Sequence, residues 1–208
     1  MAQVKKESVR QAILDSAFEL ITRQGYAATT LAQIARGAGI ATSNVYVYFE
    51  SKLGILFALS RPWLLDQLER LEAGAGDYST SRDRLRGILL TVWDDLPSRD
   101  GGFAYNVMQA LSSVTPQDRY STDLLTTVLA RVSQLIRGCL PDGHPRRGDS
   151  DHLAYVVWMA FDGFAINRTL SGRPEGLDRM VELYCDIILG SEPAMAADAA
   201  SGRLAQRR

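Results

Sequence analysis

The sequence has little cysteine, no excess of either charge and no long apolar run. Its 208 residues include two cysteines, Cys139 and Cys185, which are too few for a disulfide framework or a cysteine-based metal knuckle. No apolar stretch approaches the ~20 residues of a membrane-spanning helix, and Met1–Arg10 is too polar to open a signal peptide. With 46% hydrophobic and 23% charged residues, the composition is that of a soluble globular protein. We therefore expect a cytoplasmic protein with no membrane partner.

The near-zero net charge argues, taken alone, against a protein that binds nucleic acid. Lysine and arginine number 23 against 24 aspartates and glutamates, but they are unevenly spread. Residues 1–52 hold 6 basic and 4 acidic residues, a net of +2, whereas residues 53–208 hold 17 and 20, a net of −3. The N-terminal quarter is therefore the part of the chain that best tolerates phosphate.

Apolar residues recur with helical spacing along the whole chain, and no segment alternates with the period of a β-strand. In the first segment Leu14, Ala17, Phe18 and Ile21 form one apolar stripe. The pattern predicts an all-α protein of about nine helices. Three precede residue 50, a fourth with Pro62 inside it runs from Ser51-Lys52 to about Glu72, and five cover about 79–96, 102–114, 121–138, 150–171 and 175–189.

The first three helices have the signals of a helix-turn-helix unit. Gly25 is placed to end the first helix, and Thr29 or Thr30 to cap the second. Gly39 supplies a turn residue that is free to take a positive φ. Thr42 or Ser43 is placed to cap the third helix. Two short helices joined at a glycine and braced by a longer one favour a unit whose third helix enters the major groove of DNA.

This segment resembles the tetracycline-repressor (TetR) family of bacterial one-component regulators. The resemblance covers about a quarter of the chain and rests on Ala17-Phe18, Gly25-Tyr26, Thr29-Thr30, Ile34-Ala35, Ala38-Gly39-Ile40, Val45-Tyr46, Tyr48-Phe49 and Ser51-Lys52. It implies a three-helix DNA-binding domain over residues 1–52 and a helical effector-binding and dimerisation domain over 53–190. The alanine-rich residues 191–208 are expected to form a flexible tail. The implied partners are a double-stranded operator, a second copy of the chain and a small-molecule effector.

The predicted recognition helix, from Thr42 to Tyr48, has no cationic side chain. Family members often have Lys or Arg at position 42 and Gly at 43, so an arginine–guanine contact from this helix is not available here. We expect base contacts from Thr42, Ser43 and Asn44, with Val47 and Tyr48 at thymine methyls or backbone. The resemblance implies phosphate contacts for Thr30, Tyr46 and Lys52. Lys5, Lys6 and Arg10 either reach a neighbouring phosphate or minor groove, or form an ordinary solvated segment.

A set of aromatic, sulfur-containing and polar residues in the later helices predicts an apolar pocket with a few orienting groups. These residues are Trp93, Phe103, Tyr105, Asn106, Met108, Gln109, Trp158, Met159 and Asp162. For each of them, packed core is the alternative. Asp94, Asp95 and Asp162 lie in or beside apolar helices, and a buried carboxylate there would need a partner such as Arg168 or a cationic ligand.

The last two predicted helices are unusually apolar. The helix over 150–171 is apolar on nearly all sides, and the last helix has a regular apolar stripe. Both features favour a four-helix interface between two subunits, as the resemblance implies, although burial within one subunit would also explain them. We expect the interface to include Phe161, Phe164, Met180, Tyr184 and Ile188.

The sequence contains no pattern typical of an enzyme or a metal site. His144, Asp149, Asp151 and His152 carry groups that bind metals, but their spacing matches no established site. We also find no Ser-His-Asp order and no phosphate-binding glycine loop. We therefore expect no catalytic residue, metal or cofactor. The sequence predicts a homodimeric transcriptional repressor released from a palindromic operator by a small apolar or amphipathic effector. The alternatives are a small-molecule-binding helical protein without a DNA role, and an all-α enzyme.

Overall fold

The computed structural model describes residues 2–115 and 121–190, which are helical without any strand. The predicted all-α class is therefore confirmed. The helices are α1 (Ala2–Gln24), α2 (Leu31–Gly37), α3 (Thr42–Val45), α4 (Lys52–Gly74), α5 (Ser81–Leu90), α6 (Leu96–Ser98), α7 (Phe103–Leu111), α8 (Asp123–Cys139), α9 (Ser150–Ser171) and α10 (Leu177–Leu189). A π-helical turn, Thr91–Asp95, joins α5 to α6 without a break, so the described ranges hold nine helices if these three pieces are counted as one.

Two of the sequence predictions concern residues outside the described ranges. The expected tail over 191–208 and the helix break at Pro116 lie outside the residues described. Within 2–115 and 121–190, none of the helices combines the length and apolarity that crossing a bilayer requires.

The turns of the N-terminal helices follow most of the predicted signals. Gly25 ends α1 with a φ of +86°, and Gly39 makes the turn between α2 and α3 with a φ of +69°. Thr30 caps α2 through a reciprocal capping box with Gln33. The predicted cap of α3 is wrong, because that helix begins at Thr42 itself and the preceding residue, Ala41, has no side chain able to accept the bond.

The recognition helix is shorter than expected. Its α-helical part ends at Val45, and the chain continues through tighter turns in which the Val47 and Tyr48 amides donate to the carbonyls three residues earlier, Asn44 and Val45. Such i→i+3 bonds are typical of the frayed end of a short helix.

The π-helical turn was not predicted, because apolar spacing at period 3.6 continues through it. Pro97 has no N–H for the carbonyl of Trp93, so the α-helical pattern cannot continue unchanged into the next turn. Trp93 is buried here, and its indole N–H donates to the Val157 carbonyl of α9 at 2.9 Å. The turn therefore fixes α5 and α6 against α9.

The buried residues form two apolar clusters. The larger lies among α4 to α10, and the smaller lies under the first three helices. The smaller cluster is completed by residues from beyond position 52, namely Ile55 and Leu56 of α4 and Phe103 and Ala110 of α7. The N-terminal core therefore extends across the expected domain boundary at residue 52.

Candidate DNA-binding and effector sites

The short third helix presents small polar groups and aromatic rings at the surface. Thr42, Ser43 and Asn44 are exposed, whereas Val45 is fully buried and anchors the turn. The side chains of Tyr46 and Val47 are 58% and 63% exposed, which is high for such apolar groups. Tyr48 is half-buried. An uncharged surface of hydroxyls, one amide and a tyrosine can contact base edges and phosphates through hydrogen bonds rather than ion pairs.

Lys52, expected to contact phosphate, is bound within the protein. Its Nζ donates to the carbonyl oxygens of Tyr26 and Thr29 at 2.8 and 2.9 Å and lies 4.1 Å from the centre of the Tyr26 ring. Partial burial lowers the pKa of Lys52 below its usual value. Two of its three N–H donors are therefore used to hold the α1–α2 loop against the start of α4.

Thr30 is also engaged internally. Its hydroxyl accepts the Gln33 amide at 3.2 Å and donates to the Gln33 side-chain oxygen at 3.0 Å. The hydroxyl hydrogen is therefore committed to the capping box. Thr30 orients the start of α2, and Lys52 holds the loop that precedes it.

The other cations of the N-terminal region differ in availability. The Arg10 guanidinium packs over the Phe49 ring at 5.2 Å, and Arg23 pairs with Glu19. Lys6 is exposed, while the side chain of Lys5 lies outside the described set. Arg36, at the end of α2, is exposed and takes part in none of the ion pairs among the residues described. A lone arginine in a short helix has no distinguishing sequence pattern, so Arg36 was not predicted to contact DNA.

A cavity of about 430 Å³ lies between α4, α7, α8 and α9. Its volume falls within the range of small-molecule sites, roughly 300–1,000 Å³. The wall is mainly apolar and aromatic, and its polar positions among the described residues are Ser60 and Arg61 on α4, Ser121 before α8, and Asp162 on α9. Four of the predicted pocket residues, Met108, Trp158, Met159 and Asp162, line this cavity.

The other five predicted pocket residues lie outside this cavity, namely Trp93, Phe103, Tyr105, Asn106 and Gln109. Phe103 is fully buried in the N-terminal core, where its ring packs against Phe18 and Trp63. Trp93 packs against the rings of Phe164 and Tyr184. Tyr105, on the same helix as Met108, does not line the cavity. The expectation for these five was wrong because spacing along a helix does not reveal which of its sides faces the cavity.

Asp162 has no partner for its buried carboxylate oxygen. Among the described residues its Oδ1 is shielded from solvent and makes no hydrogen bond. Burial raises the pKa of Asp162 to about 6. Arg168, considered as its partner on sequence grounds, pairs instead with Asp94, at 2.6 Å.

The helix α7 touches both the cavity and the N-terminal domain. One side contributes Ala104, Val107, Met108 and Leu111 to the cavity wall. Asn106 is buried, and its side-chain oxygen accepts the backbone N–H of Tyr26 at 2.6 Å. Just before α7, Gly101 lies so close to α1 that an added Cβ would come within 2.5 Å of the Thr22 carbonyl oxygen. The α1–α2 loop is therefore held by α7 on one side and by Lys52 on the other.

Two of the five predicted interface residues are buried within one subunit, and two more are half-buried. Phe161 lines the cavity, Ile188 is fully buried, and Phe164 and Tyr184 pack on Trp93. Met180 alone of the five is exposed. The apolar residues that these helices leave exposed are Tyr155, Val156, Met159, Ile166 and Leu170 on α9 and Met180, Leu183 and Ile187 on α10. An apolar stripe in the sequence indicates which side of a helix is buried within the subunit. The apolar residues on the exposed side of α9 and α10 were therefore not predicted.

Residues 13–59 match the family model described as bacterial regulatory proteins of the tetR family. The fatty acid metabolism regulator protein of Bacillus subtilis is 33% identical over 73 residues, which are 35% of this chain and 38% of that relative. The regulator BetI of Rhizobium meliloti is 27% identical over 197 residues, covering 90% of this chain and 92% of BetI. Together these matches support a TetR-family transcriptional regulator.

The fold agrees over most of the chain with that of solved transcriptional regulators. The crystal structure of the regulator FadR from Bacillus subtilis in complex with stearoyl-CoA has a TM-score of 0.62 and 19% identity, covering 88% of this chain and 99% of that one. The similar proteins are transcriptional regulators rather than enzymes, and some of them respond to ligands. This chain is accordingly a DNA-binding transcriptional regulator in general terms.

Proposed function

We propose that this regulator is a homodimeric repressor that binds a palindromic operator and releases it when a small apolar or amphipathic effector occupies the cavity. The observation that supports this most directly is that α4 and α7 wall the cavity and also complete the N-terminal core. A ligand that changes the spacing of these two helices changes the position of α1 to α3. Only a ligand that binds one arrangement better than the other can shift the population.

The proposed DNA surface consists of Thr42, Ser43, Asn44, Tyr46 and Tyr48. Asn44 and the two hydroxyls would contact base edges, and the tyrosines would contact backbone or thymine methyls. Thr30 and Lys52 would act mainly by positioning, with the remaining Lys52 N–H available to a phosphate. Arg36 adds an unpaired cation beside this surface.

The proposed dimer packs the exposed apolar sides of α9 and α10 against the same helices of a second copy. A two-fold pair of subunits would set two third helices about one turn of DNA apart, roughly 34–36 Å. In this proposal, residues 1–52 form the DNA-binding domain. Residues 53–190 form the domain that binds the effector and the second subunit.

A gel-shift experiment with purified protein tests the DNA role. The DNA that lies upstream of the protein's own gene is compared with a shuffled duplex of the same length and composition. We expect a discrete complex only with the upstream DNA, and no shift of either duplex would favour a small-molecule-binding protein without a DNA role.

A further inference from the structure

Among the described residues of the cavity wall, one buried polar atom makes no hydrogen bond within the protein. Of the polar residues in the wall, Ser60 donates its hydroxyl to the Phe57 carbonyl at 3.1 Å. Arg61 and Ser121 belong to the rim, where their side chains are exposed. The buried Oδ1 of Asp162 has no hydrogen-bond partner among the described residues. A buried carboxylate without a partner is costly, so it is the group that a ligand would satisfy with the greatest gain.

The surroundings of Asp162 favour a positive charge as the missing partner. The rings of Phe57, Trp63, Trp158 and Phe161 line the same cavity, and the faces of aromatic rings attract cations. Among the described residues, the basic side chain that lines the cavity is Arg61, which is exposed and takes part in none of the ion pairs found there. Arg168, on the same helix as Asp162, is committed to Asp94.

We propose that the effector is an organic cation, an ammonium group with an apolar arm, whose charge lies at Asp162 and whose arm lies among the aromatic and aliphatic side chains of the cavity. This inference rests on the proposed effector role of the cavity and specifies the chemistry of the ligand. An anionic effector would place its charge beside a carboxylate and is therefore disfavoured. A purely apolar effector would leave the Asp162 oxygen unsatisfied.

The test uses four probes with the same octyl arm: octylammonium, octyltrimethylammonium, octanol and octanoate. Binding to the full-length protein is measured at pH 7.5 by titration calorimetry and by the fluorescence of Trp63 and Trp158, which line the cavity. We expect at least one of the two ammonium probes to bind about tenfold or more tightly than octanol, and octanoate to bind most weakly.

The variant Asp162→Asn keeps the shape of the side chain and removes its charge. We expect it to lose about tenfold or more in affinity for the preferred ammonium probe and to bind octanol as the wild type does. The matched control is Asp95→Asn, which makes the same chemical change at an exposed position outside the cavity. This control should bind all four probes as the wild type does.

A measurement on the unaltered protein removes any dependence on the folding of the variant. Of the helices around the cavity, α4 contributes one other charged side chain, Arg61, and the lining residues of α7 and α8 contribute none. Burial raises the pKa of Asp162 to about 6, so lowering the pH from 7.5 to 5 neutralises its carboxylate. Ammonium affinity should then fall by about tenfold while octanol affinity stays constant.

The outcomes separate this inference from the function on which it rests. If octanol or octanoate binds as tightly as the ammonium probes, and Asp162→Asn and low pH change nothing, the cation is wrong while the cavity remains an effector site. If none of the four probes binds, both the cation and the effector role of the cavity are overturned, whereas the gel shift still tests the DNA role independently.

Discussion

Asn44 is the amide that the third helix presents to solvent, and its exposed neighbours offer hydroxyls, a tyrosine ring and the apolar side chain of Val47. At the scale of single residues, the proposed DNA surface would therefore make sequence preference depend mainly on one side chain. An amide can contact adenine through two hydrogen bonds, whereas a hydroxyl discriminates poorly between bases. Lys52, in contrast, uses two of its three N–H donors in hydrogen bonds to the Tyr26 and Thr29 carbonyls.

Replacing Asn44 by alanine should reduce sequence preference more than it reduces binding to random DNA. Affinity for the operator is expected to fall by about 1–3 kcal/mol, because a base contact is lost, while affinity for a shuffled duplex changes little. Fluorescence anisotropy with both duplexes gives the comparison. Equal losses on the two duplexes would contradict the base-reading role.

Replacing Lys52 by alanine should lower stability as well as DNA affinity. Loss of the two bonds to the Tyr26 and Thr29 carbonyls is expected to reduce the free energy of unfolding by about 1–3 kcal/mol. The dependence of DNA affinity on salt should also flatten by about one unit for the lost phosphate contact. Urea unfolding and a salt titration measure the two effects. Lys6→Ala, at an exposed cation, is the control for stability, and an unchanged salt slope in Lys52→Ala would remove Lys52 from the phosphate contacts.

At the scale of secondary structure, α7 is the element that joins the cavity to the DNA-binding helices. Its cavity side is apolar, and its other side holds the α1–α2 loop through Asn106. A shift of α7 therefore displaces the Tyr26 amide and with it the start of α2. This gives a route from cavity to DNA surface in addition to the continuous helix α4.

Replacing Asn106 by alanine should loosen the α1–α2 loop without changing the cavity. The Tyr26 N–H loses its acceptor, so amide hydrogen exchange should become faster from Tyr26 to Thr29. Operator affinity is expected to fall by about fivefold or more. Gln109→Ala, on the same helix but outside the cavity wall, is the control. Unchanged exchange in Asn106→Ala would show that the loop is held by other contacts.

The helices could be predicted from sequence, but their mutual orientation could not. The apolar stripe of the first helix depends on local spacing and consists of Leu14, Ala17, Phe18 and Ile21. The turns at Gly25 and Gly39 depend on the backbone freedom of glycine. The π-helical turn and the position of Phe103 depend on which other helix lies opposite. For the cavity, sequence identified Met108, Trp158, Met159 and Asp162 by residue type, and misplaced Trp93 because core and cavity residues share the same chemistry.

At the scale of the whole molecule, the exposed apolar residues of α9 and α10 are the feature that a single subunit does not explain. Val156 and Ile187 are 51% and 54% exposed, and several large apolar residues exposed on one helix are typical of an interface. Gly163 lies within the exposed side of α9, and an added Cβ there would meet nothing within 4 Å. A small residue at that position permits a second helix to approach closely.

Introducing glutamate at both Val156 and Ile187 should therefore produce a folded monomer. Dimer affinity is expected to fall by about a hundredfold or more, because four carboxylates would be buried without partners. Light scattering after gel filtration reports the mass, and circular dichroism reports whether the helices persist. Ala130→Glu, on the exposed side of α8, is the control, and a double variant that remains dimeric would place the interface elsewhere.

The sharing of the N-terminal core has a consequence for engineered sensors. Phe103 and Ala110 of α7 complete the packing beneath the first three helices, together with Ile55 and Leu56 of α4. A hybrid regulator made by joining residues 1–52 to the effector domain of another family member would contain foreign side chains at these contacts. Exchange of specificity between such proteins would therefore require grafting the matching face of α7, so the interchangeable unit is discontinuous in sequence.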